Sequence, residues 1–415
     1  MKNCLLSGLT KWIIRGSSSC CLAILVACTP AKVQLNVVPL PNDMEIKTGF
    51  FEVDSAQFAN ESMDKFITCR IDSAFNRDLG EEGYNLSVSS GTIRLNACTE
   101  KGAFYGKQTL KQLLSSRGIP CVEIKDAPRF SYRGLHIDVS RHFFPKEEII
   151  KLLDEMAYYK LNKFHFHLTD NGGWRIQIDK YPRLTSMGAF RTQCEWVEWW
   201  DKKDRTYLPE GTPNAYGGYY TKEDIREILA HAEKLHIEVI PEIEFPAHSD
   251  EVFIGYPELC CTGKPYTSGE FCAGNERTYT FMENVLTEII DLFPSEYIHI
   301  GGDEARKIAW KTCSKCQTLM EKEGLKDLEE LQCYMIARME AFLTSKGKRM
   351  IGWDEVLNNH LAPTSTIISY RGQETASEAA NRGYNVVFTP GAALYFDWYQ
   401  ATPETQPRAM IGYSP

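Results

Sequence analysis

The chain predicts an α/β protein: a (β/α)8 barrel over residues 128–415, short of its last strand, behind a small α+β domain over residues 36–126. Three observations carry this expectation. From about Arg133 apolar strands alternate with helical patterns, which implies a parallel sheet with helices outside. No Gly-rich phosphate loop follows the first of these strands, so a doubly wound sheet stays open but less favoured. Polar residues gather at the C-terminal ends of the strands, where barrels keep their sites. The 415 residues are 43% hydrophobic and 24% charged, too apolar for a disordered chain and too evenly mixed for a fibrous one. Lys plus Arg number 46 against 55 Asp plus Glu, a formal charge of −9 with no basic run, which sets nucleic-acid binding aside.

Residues 1–27 read as a leader. Lys2, Lys11 and Arg15 precede an apolar run from Cys20 to Ala27, too short for the ~20 helical residues that span a bilayer. Leu25-Val26-Ala27-Cys28 resembles the bacterial lipobox, which makes Cys28 the expected lipidation site. The chain is then an exported lipoprotein of the cell envelope, held to the membrane by lipid alone. A plain signal peptide with an incidental thiol at Cys28 is the alternative.

Of the fourteen cysteines, Cys4, Cys20, Cys21 and Cys28 belong to the leader region, leaving ten where disulfides can form. Cys260 or Cys261 with Cys272 could staple a loop. Cys313-x-x-Cys316 sits in a basic, surface-like stretch without a second Cys or His pair at ligand spacing nearby. A structural disulfide or free thiols, rather than a metal, is expected there.

In the small domain, Val37-Val38-Pro39-Leu40-Pro41 reads as an extended start. Tyr84 to Val88 and Thr92 to Ala97 alternate as half-buried strands. Gly102 to Leu110 leads into a helix through Leu114, and no catalytic cluster falls here. The barrel strands follow as Gly134 to Val139, Lys163 to Leu168, Glu238 to Ile243, Tyr297 to Ile300, Met350 to Trp353, Thr366 to Ser369 and Asn385 to Phe388. Between them Pro145 opens a helix as its first residue, with Ile149, Ile150, Leu153 and Met156 at helical spacing. Thr221 and Asp224 form a capping box before Ile225, Ile228, Leu229 and Ala232. A third helix carries Leu331, Met335, Ile336, Met339 and Phe342 and stops near Gly347.

The strand ends carry the chemistry. In order they supply Asp138 to His142, His165 to Asp170, Glu242 to His248, and His299 to Glu304; then Trp353-Asp354-Glu355, Tyr370-Arg371, and Tyr395 with Asp397 and Trp398. A single acid at a strand end is commonly a cap or an ion-pair partner. Acids, imidazoles and aromatics at seven consecutive ends suggest a sugar pocket, in which carboxylates bond hydroxyls and aromatic faces stack on the apolar side of the ring.

Pro128-Arg129-Phe130-x-Tyr132-Arg133-Gly134, His-x-His-Leu-x-Asp, Pro-Glu-Ile-x-x-Pro-x-His-Ser and His-x-Gly-Gly-Asp-Glu occur in this order. Together they resemble the family 20 glycoside hydrolases, the β-N-acetylhexosaminidases, from about Val38 almost to the last residue. The resemblance implies exo-acting hydrolysis of terminal β-linked GlcNAc or GalNAc from glycans, with no cofactor and no metal. Substrate-assisted enzymes depart from the usual pair of opposed carboxyls. In this family the 2-acetamido oxygen of the substrate attacks C1 and forms an oxazolinium ion. Glu304 is then the proton donor and later the base that activates water, while Asp303 orients the acetamido N–H and stabilises the developing charge. The two glycines before the pair leave room for the sugar and for the turn.

The resemblance implies further roles. Asp170 and His248 match the pair that tunes the acid, whose proton burial and neighbours should hold; Asn171 replaces a second Asp common there. Arg133 matches an arginine that binds ring hydroxyls, with a barrel-bottom ion pair as the alternative reading. Trp353 fits a wall of the N-acetyl pocket, Tyr395 the phenol on the acetamido carbonyl, and Asp397 a contact to sugar hydroxyls. Tyr370 stands where a tryptophan is usual, which could loosen that pocket. The family continues into an eighth strand bearing a Trp and a Glu, whereas seven strand signals are counted here. A weakly active or non-catalytic glycan-binding lipoprotein is therefore the alternative function. Trp196, Trp199 and Trp200 serve either as a platform for the leaving sugar or as anchors of a long insert.

Overall fold

The computed structural model describes residues 35–406 apart from 61–62, 75–76, 202–203, 359–360 and 400. The leader and Cys28 lie outside the described residues. Among the described residues no helix is long and apolar enough to cross a membrane.

The small domain is a five-stranded sheet with one long helix on it. Its strands are β1 (Asp43–Phe51), β2 (Ile67–Ile71), β3 (Tyr84–Val88), β4 (Ile93–Ala97) and β5 (Ile119–Asp126), in the spatial order β1-β5-β3-β4-β2. Alternation sets the buried face: Tyr84, Leu86 and Val88 in β3, and Ile93, Leu95 and Ala97 in β4, are all buried. Helix α1 (Glu100–Leu113) begins where the Thr99 side chain accepts the Gly102 N–H, and it buries Ala103, Tyr105, Leu110 and Leu113. Residues 37–41 do not form the expected extended start of the sheet. Val38 is instead bonded through its N–H and C=O to the side chain of Gln112, and the first strand starts at Asp43.

Seven parallel strands in sequence order make the second sheet: β6 (Gly134–Asp138), β7 (Lys163–His167), β8 (Glu238–Glu242), β9 (Tyr297–His299), β10 (Arg349–Trp353), β11 (Thr366–Ser369) and β12 (Asn385–Phe388). The sheet curls as a partial barrel whose edges are β6 and β12. The middle strands are buried almost throughout, whereas β6 and β12 are half-buried or exposed. Outside lie α2 (Lys146–Tyr158), α3 (Lys222–Lys234), α4 (Glu276–Leu292), α5 (Ser314–Glu323), α6 (Leu328–Ser345) and α7 (Gln373–Asn381). Pro145 caps α2 instead of opening it, one position earlier than expected. The Thr221–Asp224 capping box of α3 forms in both directions. The apolar stripes of these helices close over the outward residues of the strands, as with Ile149, Leu153 and Met156 of α2.

Polar ties join the two parts. Lys160 reaches Asp126 at 3.1 Å, Asp126 also accepts the Tyr84 hydroxyl at 2.8 Å, and Arg133 pairs with Glu82 at 2.8 Å.

Candidate active site

Period-two alternation turns a polar set of side chains into the curled sheet. Pairing register places Asp138 beside His167, His167 beside Glu242, and Glu242 beside His299, so four chemically active residues form one row across β6 to β9. The buried carboxylate of Glu242 is the hub of that row. It lies 2.6 Å from Nδ1 of His167, 2.9 Å from Nδ1 of His299 and 2.7 Å from Nε2 of His165, and it accepts the indole N–H of Trp353 at 2.8 Å. Burial opposes a charge on Glu242, but His167, His299 and His165 outweigh it and hold its pKa well below the usual carboxylate value. Burial also opposes protonation of His167, yet Glu242 and Asp138 push its pKa well up; for His165 burial wins, and its pKa falls to about 3.

Above this row, β9 runs into Gly301-Gly302-Asp303-Glu304. Three of these residues have left-handed backbone, with φ of +67° at Gly301, +99° at Gly302 and +48° at Glu304. The expected turn is present, and the space left by the missing Cβ atoms is filled by protein. At Gly301 it is filled by the carboxyl of Glu244, and at Gly302 by a methyl of Val356. Glu244 is fully buried with both oxygens unpartnered. Burial, then Asp303 and Glu242, push its pKa well up, which favours the protonated form beneath the turn.

His248 joins the two halves of the site. Its Nδ1 lies 3.2 Å from Asp170, and its Nε2 lies 3.4 Å from both Asp303 and Glu304. Burial opposes its protonation, but Asp170 and Asp303 hold its pKa well above that of a free imidazole. Asp170 is itself gripped by Arg141 at 2.7 Å, and Arg141 also pairs with Asp138 at 2.8 Å. Burial works against the Asp170 charge; Arg141 and then His248 overcome it and drive its pKa far down. The side-chain oxygen of Asn171 accepts the Asp250 N–H at 3.2 Å, so this residue braces the loop behind His248.

Glu304 departs from the expected buried acid. Its side chain is 63% exposed, and the adjacent His248 imidazole outweighs desolvation and lowers its pKa. A carboxyl beside an imidazolium and open to water ionises more easily, not less. The group held protonated by burial is Glu355, whose pKa is pushed up to about 7 by burial, with Asp303 adding to it against a 2.7 Å hydrogen bond from Tyr370.

Of the remaining expected residues, Trp353 is 8% exposed and meets Tyr370 edge-on at 5.5 Å, so the two rings form one corner. Tyr395 and Asp397 stand at the open side past β12. Burial and then Asp303 raise the Tyr395 phenol, and burial raises the Asp397 carboxyl. Arg133 is a correction. It precedes β6, at the N-terminal end of the sheet, where it bonds Glu82, the Phe130 carbonyl and the Lys160 carbonyl. The strand separates it from the site, and the guanidinium at the site is that of Arg141. Arg141 stood in the same strand-end segment of the sequence, but only its ion pairs to Asp138 and Asp170 distinguish it. In the 190s insert, Trp199 is fully buried as an anchor, while Trp196 and Trp200 stack at 5.1 Å, with Arg141 5.8 Å from the Trp196 ring.

The cysteines meet the expectation of free thiols at Cys313 and Cys316 but not that of an isolated pair. All ten described cysteines are free. Cys313 and Cys316 do have a second pair beside them, Cys261 and Cys272, brought by a loop 41 or more residues away in sequence.

Comparison with known proteins establishes the family. Residues 130–415 match the glycosyl hydrolase family 20 catalytic domain, and residues 56–127 match domain 2 of that family. A beta-hexosaminidase of Porphyromonas gingivalis is 37% identical over 98% of this chain and 57% of its own length; one from Vibrio furnissii is 39% identical over 80% and 55%. The chain thus spans little more than half the length of these two relatives. Among solved structures, a GH20 exo beta-N-acetylglucosaminidase from Vibrio harveyi, in complex with N-acetylglucosamine, superposes with a TM-score of 0.77 at 32% identity, covering 88% of this chain and 62% of that one. The beta-N-acetylhexosaminidase of Bacteroides fragilis gives 0.75 at 29% identity, over 91% and 79%. With its partial barrel, small leading domain and adjacent Asp303–Glu304 beside His248, the chain belongs to glycosyl hydrolase family 20.

Proposed function

We propose that the protein removes terminal β-linked N-acetylhexosamine from glycans by substrate-assisted, retaining catalysis. The observation that carries this reading is the shared contact of His248 with Asp303 and Glu304, which places two carboxylates of different surroundings at one point. Asp303 has one buried oxygen without a partner, an acceptor free for the acetamido N–H. That contact turns the acetamido oxygen toward C1 and stabilises the cationic bicyclic intermediate. Glu304, exposed before substrate arrives, loses its water when a sugar covers it; desolvation then raises its proton affinity and suits it to donate to the leaving oxygen. After the aglycone departs, the same carboxylate accepts a proton from the attacking water.

Trp353, fixed by Glu242, and Tyr370, fixed by Glu355, supply an aromatic corner for the N-acetyl methyl, with Tyr395 facing it from the open side. Arg141, charged and already oriented by two carboxylates, is the donor for ring hydroxyls. Asp303→Asn and a thiazoline mimic of the bicyclic intermediate test the assignment. The variant loses about 10²–10³-fold in kcat and binds the thiazoline poorly; equal binding by both proteins overturns it. The Leu25–Cys28 lipobox supports an envelope-anchored enzyme, which Cys28→Ser should release from the membrane fraction.

A further inference from the structure

Two stretches of chain leave the sheet and meet away from the sugar site. One carries Cys261 and Cys272, between β8 and α4; the other carries Cys313 and Cys316, at the start of α5. Their sulfurs are 3.7 Å apart for Cys261 and Cys316, 3.7 Å for Cys272 and Cys313, and 3.8 Å for Cys272 and Cys316, and all four lie within 4.8 Å of one another. Disulfide sulfurs stand at about 2.0 Å and pair off two by two. Here Cys272 and Cys316 each neighbour two other sulfurs. Thiolates bound to a tetrahedral zinc at about 2.3 Å stand about 3.8 Å apart along each edge, which is the spacing found.

The backbone around the cluster is built for close approach. A Cβ on Gly274 would collide with the carbonyl of Lys315, so only glycine lets the two stretches touch there. The fully buried Trp310 donates its indole N–H to the Phe271 carbonyl at 2.8 Å, and the Cys272 N–H bonds the Leu259 carbonyl at 2.8 Å. The neighbouring Cys260 is directed elsewhere, its thiol donating to the Pro257 carbonyl at 3.2 Å.

We propose that Cys261, Cys272, Cys313 and Cys316 form a structural zinc site, a closed tetrathiolate. Binding exchanges four thiol protons for one Zn²⁺, with no change of oxidation state, and leaves no open coordination position for catalysis. Its consequence is mechanical. The first stretch begins at His248 and the second at Asp303–Glu304, and Glu270 of the first also accepts the N–H groups of Arg306 and Lys307 at 2.9 and 3.2 Å. The metal fastens the loop of His248 to the loop of the acid pair. Coordination also shields four thiols from oxidation in an exported chain.

The test is the metal content of the full-length protein purified without chelator. One zinc per chain, with four thiols that become titratable only after the metal is released, is the expected result. X-ray absorption should show four sulfurs at about 2.3 Å, and cobalt exchange should give thiolate charge-transfer and tetrahedral d–d bands. The double variant Cys313→Ser/Cys316→Ser should bind no zinc, while Cys260→Ser should keep it. Non-reducing peptide maps with cystine among the four residues, or a wild type without stoichiometric zinc, overturn the site. Zinc retained by the double variant does the same. Should that variant fail to fold, the wild-type thiol titration and cobalt spectrum decide.

Discussion

Nε2 of His248 stands 3.4 Å from Oε2 of Glu304, and Asp170 behind the imidazole favours its protonated form. Glu304 is thereby tied to a buried charge chain that ends at Arg141. This chain should show in stability against pH. Asp170 has a lowered pKa, so its contribution is present above the unfolded value of about 3.9 and fades as pH falls below it. His248 has a raised pKa, so its contribution is complete below about 6.5 and fades as pH rises through its native value. The melting-temperature gap between wild type and Asp170→Asn should therefore be widest between about pH 4 and 6.5 and narrow on either side. A gap independent of pH would refute the ion pair.

Glu304→Gln removes the proton donor of the proposed mechanism while keeping shape. Glycosides with poor leaving groups should lose far more than activated aryl glycosides, by about 10²-fold or more in relative kcat/KM. Loss by the same factor for both substrate types would mean that another residue is the acid.

Glu355 ionises near pH 7 instead of the ordinary carboxylate value because it is buried near Asp303. A carboxyl with a raised native pKa stabilises the fold below its unfolded value and loses that contribution as pH rises to the native one. Glu355→Gln should match wild type near pH 4 and exceed it by on the order of 2 kcal/mol at pH 8. Chemical denaturation at the two pH values measures this.

Arg133 and Arg141 should separate cleanly. Arg133→Ala breaks the pair with Glu82 that ties the small domain to the sheet, costing roughly 2–4 kcal/mol and leaving KM nearly unchanged. Arg141→Lys keeps the charge but loses the planar fork, and should raise KM about tenfold or more. Melting curves and Michaelis constants for both variants check the pair, and a large KM effect from Arg133→Ala would restore it to the site.

The layout of the barrel is written locally in the chain. Strand-sized apolar runs bounded by polar ends can be counted without coordinates, and all seven barrel strands form where their residues imply. The Asp303–Glu304 turn and the Asp170–His248 pair were legible because motif and strand end coincide, whereas the contact of Trp353 with Tyr370 was not. The remaining features depend on which end of a strand faces the site and on what lies across from it. Arg133 and Arg141 flank the same five-residue strand, β6, whose ends stand about 13 Å apart, and spacing alone does not orient them. Glu242 became the hub of His165, His167, His299 and Trp353 through parallel register, which sequence alternation leaves undetermined. Glu304 proved exposed because burial is set by neighbours that pack over a turn, not by the turn's own residues. The four cysteines converge because two loops far apart in sequence press together at Gly274. Local physics dictates elements and their ends; contact between distant segments dictates charge, burial and ligation.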